Sequence, residues 1–256
     1  MRFALLGSGS RGNALLVEQG NTTLMVDCGF TLRESERRLA RFGKAPQSIT
    51  AILVTHEHSD HVGGVGLLAR RYNIPVWMTP GTAANHDGGE YPALQLFNCH
   101  ETFAIGDLEI TPFPVPHDAR EPSQFVFGNG NQRLGVLTDV GRTTPHIEAN
   151  LSGCHALVLE CNHDPQMLAD GPYPPMLQRR VGGDLGHLSN PQAAALLQRL
   201  DLSQLRQLVG AHLSEKNNTP QLARRALCDA LGCEPEWIGL ADQAHGAPWR
   251  SLDGWV

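Results

Sequence analysis

Residues 49–61 run Ile49-Thr50-Ala51-Ile52-Leu53-Val54-Thr55-His56-Glu57-His58-Ser59-Asp60-His61. The first half is branched and apolar, the pattern of a strand buried on both faces. The second half sets three histidines and an aspartate within six residues, directly beyond the strand's carboxyl end. Alternate side chains on extended backbone face the same way. His56 and His58 can therefore reach one cation, and Asp60 and His61, beyond the bend, a second. Imidazole and carboxylate are the usual ligands of zinc and related first-row ions. The plainer alternative is a surface loop that holds no metal, and the density of ligand-type side chains after a buried strand argues against it.

One short loop cannot close two coordination spheres, so further ligands must arrive from elsewhere. The same grammar, a buried strand followed by a ligand, recurs three times. His117 follows Phe113-Pro114-Val115-Pro116, Asp139 follows Leu134-Gly135-Val136-Leu137-Thr138, and His212 follows Leu208-Val209-Gly210-Ala211. A lone histidine after a strand is more often a capped or exposed residue; the repetition carries the weight.

Outward from these points, strands are expected at 2–7, 13–18 and 22–27, ending at Asp27-Cys28-Gly29. A surface helix follows over 32–42, then a helix at 65–72 and a short strand at 74–78. Residues 80–102 have no period and read as loop and short helix. Strands resume at 108–115, 124–128 and 133–138, with Gly128-Asn129-Gly130-Asn131 as a hairpin turn. Another strand lies at 156–160, and 165–186, rich in proline and glycine, reads as an excursion. Ser189-Asn190-Pro191 starts a helix, a strand ends at Ala211, and Thr219-Pro220 opens a helix to about residue 231. The tail docks as an edge strand and a wrap, with Trp237, Trp249 and Trp255 expected in the core rather than a dimer seam. Strand-rich halves closed by helices predict an α/β protein, an αββα sandwich in which helices flank two mixed sheets, as a single domain over residues 1–256.

In that order, His56-x-His58-x-Asp60-His61, His117, Asp139 and His212 resemble the metallo-β-lactamase superfamily. The resemblance spans nearly the whole chain. It implies that His56, His58 and His117 bind one ion, that Asp60, His61 and His212 bind the other, and that Asp139 bridges them. It also implies that Asp27 supports the metal loop from behind, although a strand-end turn residue is the bland reading. Drug-hydrolysing members commonly carry cysteine at the bridging position, so Asp139 resembles the phosphodiesterase and nuclease branches. Gly186-His187-Leu188-Ser189-Asn190 is similar to a His-Ser segment that opens a helix in RNase Z-like enzymes. Gly7-Ser8-Gly9-Ser10-Arg11-Gly12-Asn13, Val26-Asp27-Cys28-Gly29, Ala69-Arg70-Arg71-Tyr72 and His212-Leu213-Ser214-Glu215-Lys216-Asn217-Asn218 resemble the YycJ/WalJ-type branch of exonuclease-like hydrolases. The chain has no long insertion like the clamp domain of β-CASP enzymes and no arm like that of RNase Z.

Two ions ~3.5–4 Å apart can hold a bridging hydroxide as nucleophile and clamp the substrate's oxygens. Asp60 and Asp139 thereby count as catalytic as well as ligating. His187, before a helix N-terminus, is placed to meet a phosphate oxygen or to protonate the leaving group, with helix capping as its plainer role. Glu160 can orient His187, and His163 either contacts substrate or braces the site. Ser8, Ser10 and Asn13 either donate to phosphate or only shape the turn. The donors suit two zinc ions; manganese and iron occupy similar sites.

Of the 256 residues 41% are apolar, enough for a sizeable core, and the net charge of −6 excludes a strong overall field for nucleic acid. Arg11, Arg70, Arg71, Arg120, Arg179, Arg180 and Lys216 remain as a candidate phosphate track. The six cysteines form no CxxC pair and no disulfide framework, which suits a reducing compartment. The apolar opening of the chain, Met1–Gly7, is too short for a signal peptide or a membrane span, so a soluble cytoplasmic protein is expected, monomeric or homodimeric. The leading reading is a phosphodiester hydrolase, a DNA exonuclease. A hydrolase of a small phosphodiester or thioester is the second, and a metal-binding accessory protein with weak activity the third.

Overall fold

The computed structural model describes residues 1–86 and 88–253. Six strands open the chain: β1 (Arg2–Gly7), β2 (Ala14–Gln19), β3 (Thr22–Val26), β4 (Ala51–Leu53), β5 (Val76–Met78) and β6 (Leu94–Leu96). Seven more follow: β7 (Phe103–Ile105), β8 (Leu108–Pro114), β9 (Ser123–Gly128), β10 (Arg133–Leu137), β11 (Ala156–Glu160), β12 (Gln207–Ala211) and β13 (Ile238–Leu240). The last, β14 (Ala247–Ser251), returns to pair antiparallel with β1. The described strands form two seven-stranded sheets, ordered β14-β1-β2-β3-β4-β5-β6 and β13-β12-β11-β10-β9-β8-β7.

Both sheets are mixed. β3 to β6 run parallel, as do β10 to β13, while the remaining neighbours are antiparallel. The parallel joins need crossovers, which helices supply. On the first sheet these are α1 (Leu32–Arg41), α2 (Ser59–Val62), α3 (Val65–Tyr72) and α4 (Pro80–Asn85). On the second they are α5 (Pro145–Leu151), α6 (Pro165–Asp170), α7 (Pro175–Val181), α8 (Asn190–Leu197) and α9 (Pro220–Leu231).

Three apolar layers hold these parts together. Phe3, Leu24 and Leu53 from one sheet meet Phe125, Phe127 and Val158 from the other, all buried. Leu39 of α1 and Leu68 of α3 pack on Met25 and Ile52 behind the first sheet. Ile147 of α5, Leu196 of α8 and Leu227 of α9 pack on Leu157 behind the second. The order is helix, sheet, sheet, helix, the αββα arrangement expected from the strand-rich halves.

The capping chemistry is equally local. Ser189 and Gln192 form a reciprocal capping box at the start of α8, and Pro191 lies in its first turn. Thr219 caps α9 ahead of Pro220. Two elements depart from the expectation. Residues 80–102 hold the edge strand β6 as well as α4, and β7 follows. β6 is three exposed residues long and β7 also three, too short to show a period. The excursion over 165–186 carries the short helices α6 and α7, each opened by a proline. Trp249 lies on β14, its indole N–H donating to the Phe42 carbonyl at 3.0 Å, and Trp237 packs against the core behind the second sheet. Trp255 lies outside the described residues.

Topology decides where the ligands meet. β3 and β4 are parallel, as are β10, β11 and β12, and β8 points the same way as β10 because each is antiparallel to β9. The residues just beyond these carboxyl ends therefore gather at one rim of the sandwich. Backbone bonds knit the rim: Cys28 N–H donates to the His61 carbonyl at 2.7 Å and Asn13 N–H to the Asp60 carbonyl at 2.8 Å. At Gly29 a Cβ would run into the Asp60 carbonyl. We expect Gly29→Ala to lower stability by ~1–3 kcal/mol, the usual penalty of overpacking, as read by urea unfolding.

Candidate metal centre

Five imidazoles converge at this rim, and each has one nitrogen committed to the protein. His56 Nδ1 lies 2.9 Å from Thr55 Oγ1, His61 Nδ1 2.8 Å from Asp27 Oδ2, His117 Nδ1 3.1 Å from the Gly186 carbonyl, and His212 Nδ1 2.8 Å from Glu160 Oε1. These four leave Nε2 for the interior of the site. His58 is reversed: its Nε2 lies 3.2 Å from the Asp118 carbonyl and its Nδ1 faces His117 Nε2 at 3.3 Å. The second nitrogen's partner selects the tautomer and aims the ring.

The inward-facing atoms form two nests. Ligand atoms of His56, His58 and His117 lie within 4.8 Å of one another, as do those of Asp60, His61 and His212. Asp139 stands between, grouped with His56 and His61 in the same way. His61 Nε2 lies 3.2 Å from Asp139 Oδ2 and 3.6 Å from Asp60 Oδ2. His56 Nε2, His212 Nε2 and Asp139 Oδ2 are buried, and among the described residues none has a hydrogen-bond partner, Asp139 Oδ2 having only its ion-pair contact with His61. Leaving such atoms unsatisfied is costly. A divalent cation would satisfy all three, and the imidazole and carboxylate set fits one.

Two buried carboxylates brace the ligands. Asp27 accepts the Thr55 N–H and hydroxyl, both at 2.8 Å, besides His61 Nδ1. Glu160 accepts the backbone N–H groups of Asp139 at 3.1 Å, Val140 at 3.2 Å and Leu188 at 2.9 Å. It also takes His212 Nδ1, and His187 Nδ1 at 3.0 Å. Glu160 falls within ligand distance of Asp139, His187 and His212, but its oxygens are so occupied that it acts as a brace. Asp27, Asp139 and His212 adopt φ of 59°, 53° and 53°, left-handed values uncommon outside glycine. The strained backbone thus lies where the chain turns from strand to ligand.

The charges are interlocked. Burial pushes the His56 imidazole well below its usual range, helped by repulsion from His61. Burial also opposes charge on His61 and His212. Asp139, Asp27 and Asp60 nonetheless hold His61 well above its usual value, and Asp139, Asp60 and Glu160 raise His212 to about 10. Asp139 is held well below the carboxylate range against burial, by His212 and His61, and Glu160 is held at about 2 by His187 and His212. Without a cation, protonated His61 and His212 face the ionised carboxylates, while burial keeps His56 and His117 from taking up charge.

A cleft of about 360 Å³ opens over the nests, walled by His58, Asp60, His117, Asp139, His187 and His212. Ser10 also lines it. Ser8 instead is buried, and its hydroxyl accepts the His212 N–H at 2.8 Å. Asn13 is buried with its amide 3.1 Å from His61 Nε2. His163 is buried beside Asn162, its Nδ1 3.4 Å from that amide oxygen. Neither Ser8, Asn13 nor His163 lines the cleft.

The expected basic track does not assemble. Among its members only Arg180 lines the cleft, held by Asp118 at 2.6 Å. Arg11 pairs with Glu215, and Arg70 caps the Gly88 and Glu90 carbonyls. Thr55, Asp118 and Tyr173 are parts of the site that the sequence reading missed. Thr55 and Asp118 adjoin ligands in sequence, the one available signal; Tyr173 carried none.

Residues 22–213 match the family of β-lactamase superfamily domains. The chain is 36% identical over 249 residues to the exodeoxyribonuclease YycJ of Bacillus anthracis, covering 96% of this chain and 94% of that protein. It is 32% identical over 245 residues to the exodeoxyribonuclease WalJ of Streptococcus pneumoniae, covering 93% and 91%. In fold it is similar to the metallo-β-lactamase fold protein YhfI of Bacillus subtilis, with a TM-score of 0.76 at 14% identity over 98% of this chain and 99% of that one.

Two outcomes follow from the braces. Asp27→Ala should weaken metal affinity ~10–100-fold, measured by competition with a chromogenic chelator. Because His61 and His212 are held protonated, metal binding at pH 7 should release protons, so affinity should rise as pH rises toward 10, where His212 loses its proton. Calorimetry in buffers of differing ionisation enthalpy reads that release.

Proposed function

The chain belongs to the metallo-β-lactamase superfamily, as a metal-dependent hydrolase of the branch that includes YycJ and WalJ, and from this premise we propose that it is a phosphodiesterase acting on DNA ends. Likeness to two exodeoxyribonucleases along more than nine-tenths of the chain is the observation that carries the reading. In it, His56, His58 and His117 hold one divalent ion and Asp60, His61 and His212 a second, with Asp139 reaching both. Zinc suits the donors best. The six unpaired cysteines fit a reducing, cytoplasmic setting.

Ions so held would bring the pKa of water down to about 7 and neutralise charge building on phosphorus. The residues do the rest. Asp60 and Asp139 set the geometry of the nests. Thr55 and Asp27 keep His56 and His61 aimed inward. His187 is tethered through Nδ1 to Glu160, and its ring lines the cleft, where it donates a proton to the departing oxygen. Ser10 offers a hydroxyl to the phosphate, and Arg180 of α7 a positive charge in the same cleft.

The net charge of −6 and the modest cleft favour a second reading, hydrolysis of a small phosphodiester or thioester. Metal-reconstituted protein assayed against end-labelled DNA, a chromogenic phosphodiester and a thioester separates the two. We expect stepwise shortening of DNA; intact DNA with turnover of a small ester would establish the second reading instead. His187→Ala should keep its metal content and lose ~10²–10⁴-fold in kcat. Full activity in that variant would remove His187 from the chemistry.

A further inference from the structure

The cleft is also lined by side chains to which the chemistry above gives no task. Tyr173, Leu177 and Val181 line the same cavity as His58, Asp60 and His187, and all three are partly exposed. Leu177 and Val181 stand four residues apart on α7 and so share one face. Tyr173 comes just before Pro174-Pro175, whose fixed φ angles limit the freedom of the turn that presents the ring. Lys216, from the loop after His212, places its ammonium 5.5 Å from the centre of that ring. The cavity lining thus combines imidazoles and carboxylates with an aromatic and aliphatic strip, Tyr173, Leu177 and Val181, beside Arg180 of the same helix.

We propose that this strip is a nucleobase subsite, on which the base of the terminal nucleotide stacks against Tyr173 while its phosphate lies at the metal nests. The assignment rests on the phosphodiesterase reading and narrows it to substrates that carry a base at the end being cut. A nucleotide has the same polarity as the cavity, a flat weakly polar ring joined to a charged phosphate. About 360 Å³ lies near the low end of small-ligand pockets, roughly 300–1,000 Å³, which suits one terminal nucleotide inside the cleft. Stacking tolerates any base because each has a π-face. The Lys216 ammonium, which lies over the Tyr173 ring 5.5 Å from its centre, suits a flanking phosphate.

The test uses oligonucleotides alike except for the terminal residue, a thymidine or an abasic tetrahydrofuran, prepared at each end in turn. The wild-type chain should favour the base-bearing end ~5–100-fold in kcat/KM, the range that base–aromatic stacking supplies. Tyr173→Ala should bring the ratio toward one, chiefly through KM, and Tyr173→Phe should preserve it. Leu177→Ser should lower it in the same direction, and thermal melts of each variant report its fold. Equal cleavage of both ends by the wild type, or a preference unchanged in Tyr173→Ala, overturns the subsite and leaves the nuclease reading standing. Failure to cut either DNA while the chromogenic diester is hydrolysed overturns the nuclease reading and the subsite together.

Discussion

Asp27 and Glu160 are buried at the carboxyl ends of β3 and β11, one on each sheet; Asp27 divides its oxygens among the Thr55 N–H, the Thr55 hydroxyl and His61 Nδ1, and Glu160 among three backbone N–H groups and the Nδ1 atoms of His187 and His212. That division matters because a buried carboxylate is tolerable only when its acceptors are filled. Once they are filled, His61 and His212 have a fixed tautomer and a fixed heading, and their Nε2 atoms have nowhere to turn but inward. The pattern extends beyond the two acids. Thr55 takes the Nδ1 of His56, and the Gly186 carbonyl takes that of His117. Buried ring nitrogens at the centre with no hydrogen-bond partner among the described residues, His56 Nε2 and His212 Nε2, result from bracing the other nitrogen of each ring.

Strand direction supplies the other half of the design. The ligands are far apart in the chain, yet each follows a strand that points to the same rim. Parallel pairing of β3 with β4, of β10 with β11 and of β11 with β12 makes that convergence a consequence of topology. The left-handed turns at Asp27, Asp139 and His212 then fold those side chains back over the strand ends. Such conformations persist only where surrounding contacts hold them. Here the same hydrogen bonds that brace the ligands also hold the backbone.

Much of this was legible in the chain because buried strands and ligands adjoin in sequence. Apolar runs ending in His56, His117, Asp139 or His212 announce both the sheet and its rim. The layers were readable for the same reason, since branched strands alternate with amphipathic helices. β6 and β7 were not, being three residues each and stabilised by pairing rather than by pattern. Ser8 and Ser10 look alike in a glycine-rich turn, and only the fold separates them: one hydroxyl faces His212, the other the cleft. The expected track of arginines failed because Arg11 and Arg70 found local partners, which sequence proximity does not show. Tyr173 sits in a proline-rich segment without period, and its place in the cleft depends on how α6 and α7 fold over the rim.

On the proposed reading these braced imidazoles and carboxylates hold two metal ions. Crystals grown with zinc and measured at the metal's absorption edge decide the matter. Two anomalous peaks per chain are expected, one among His56, His58 and His117 and one among Asp60, His61 and His212, with Asp139 within bonding reach of both. A single peak, or none, in crystals whose side chains are otherwise ordered would rule out a two-metal site.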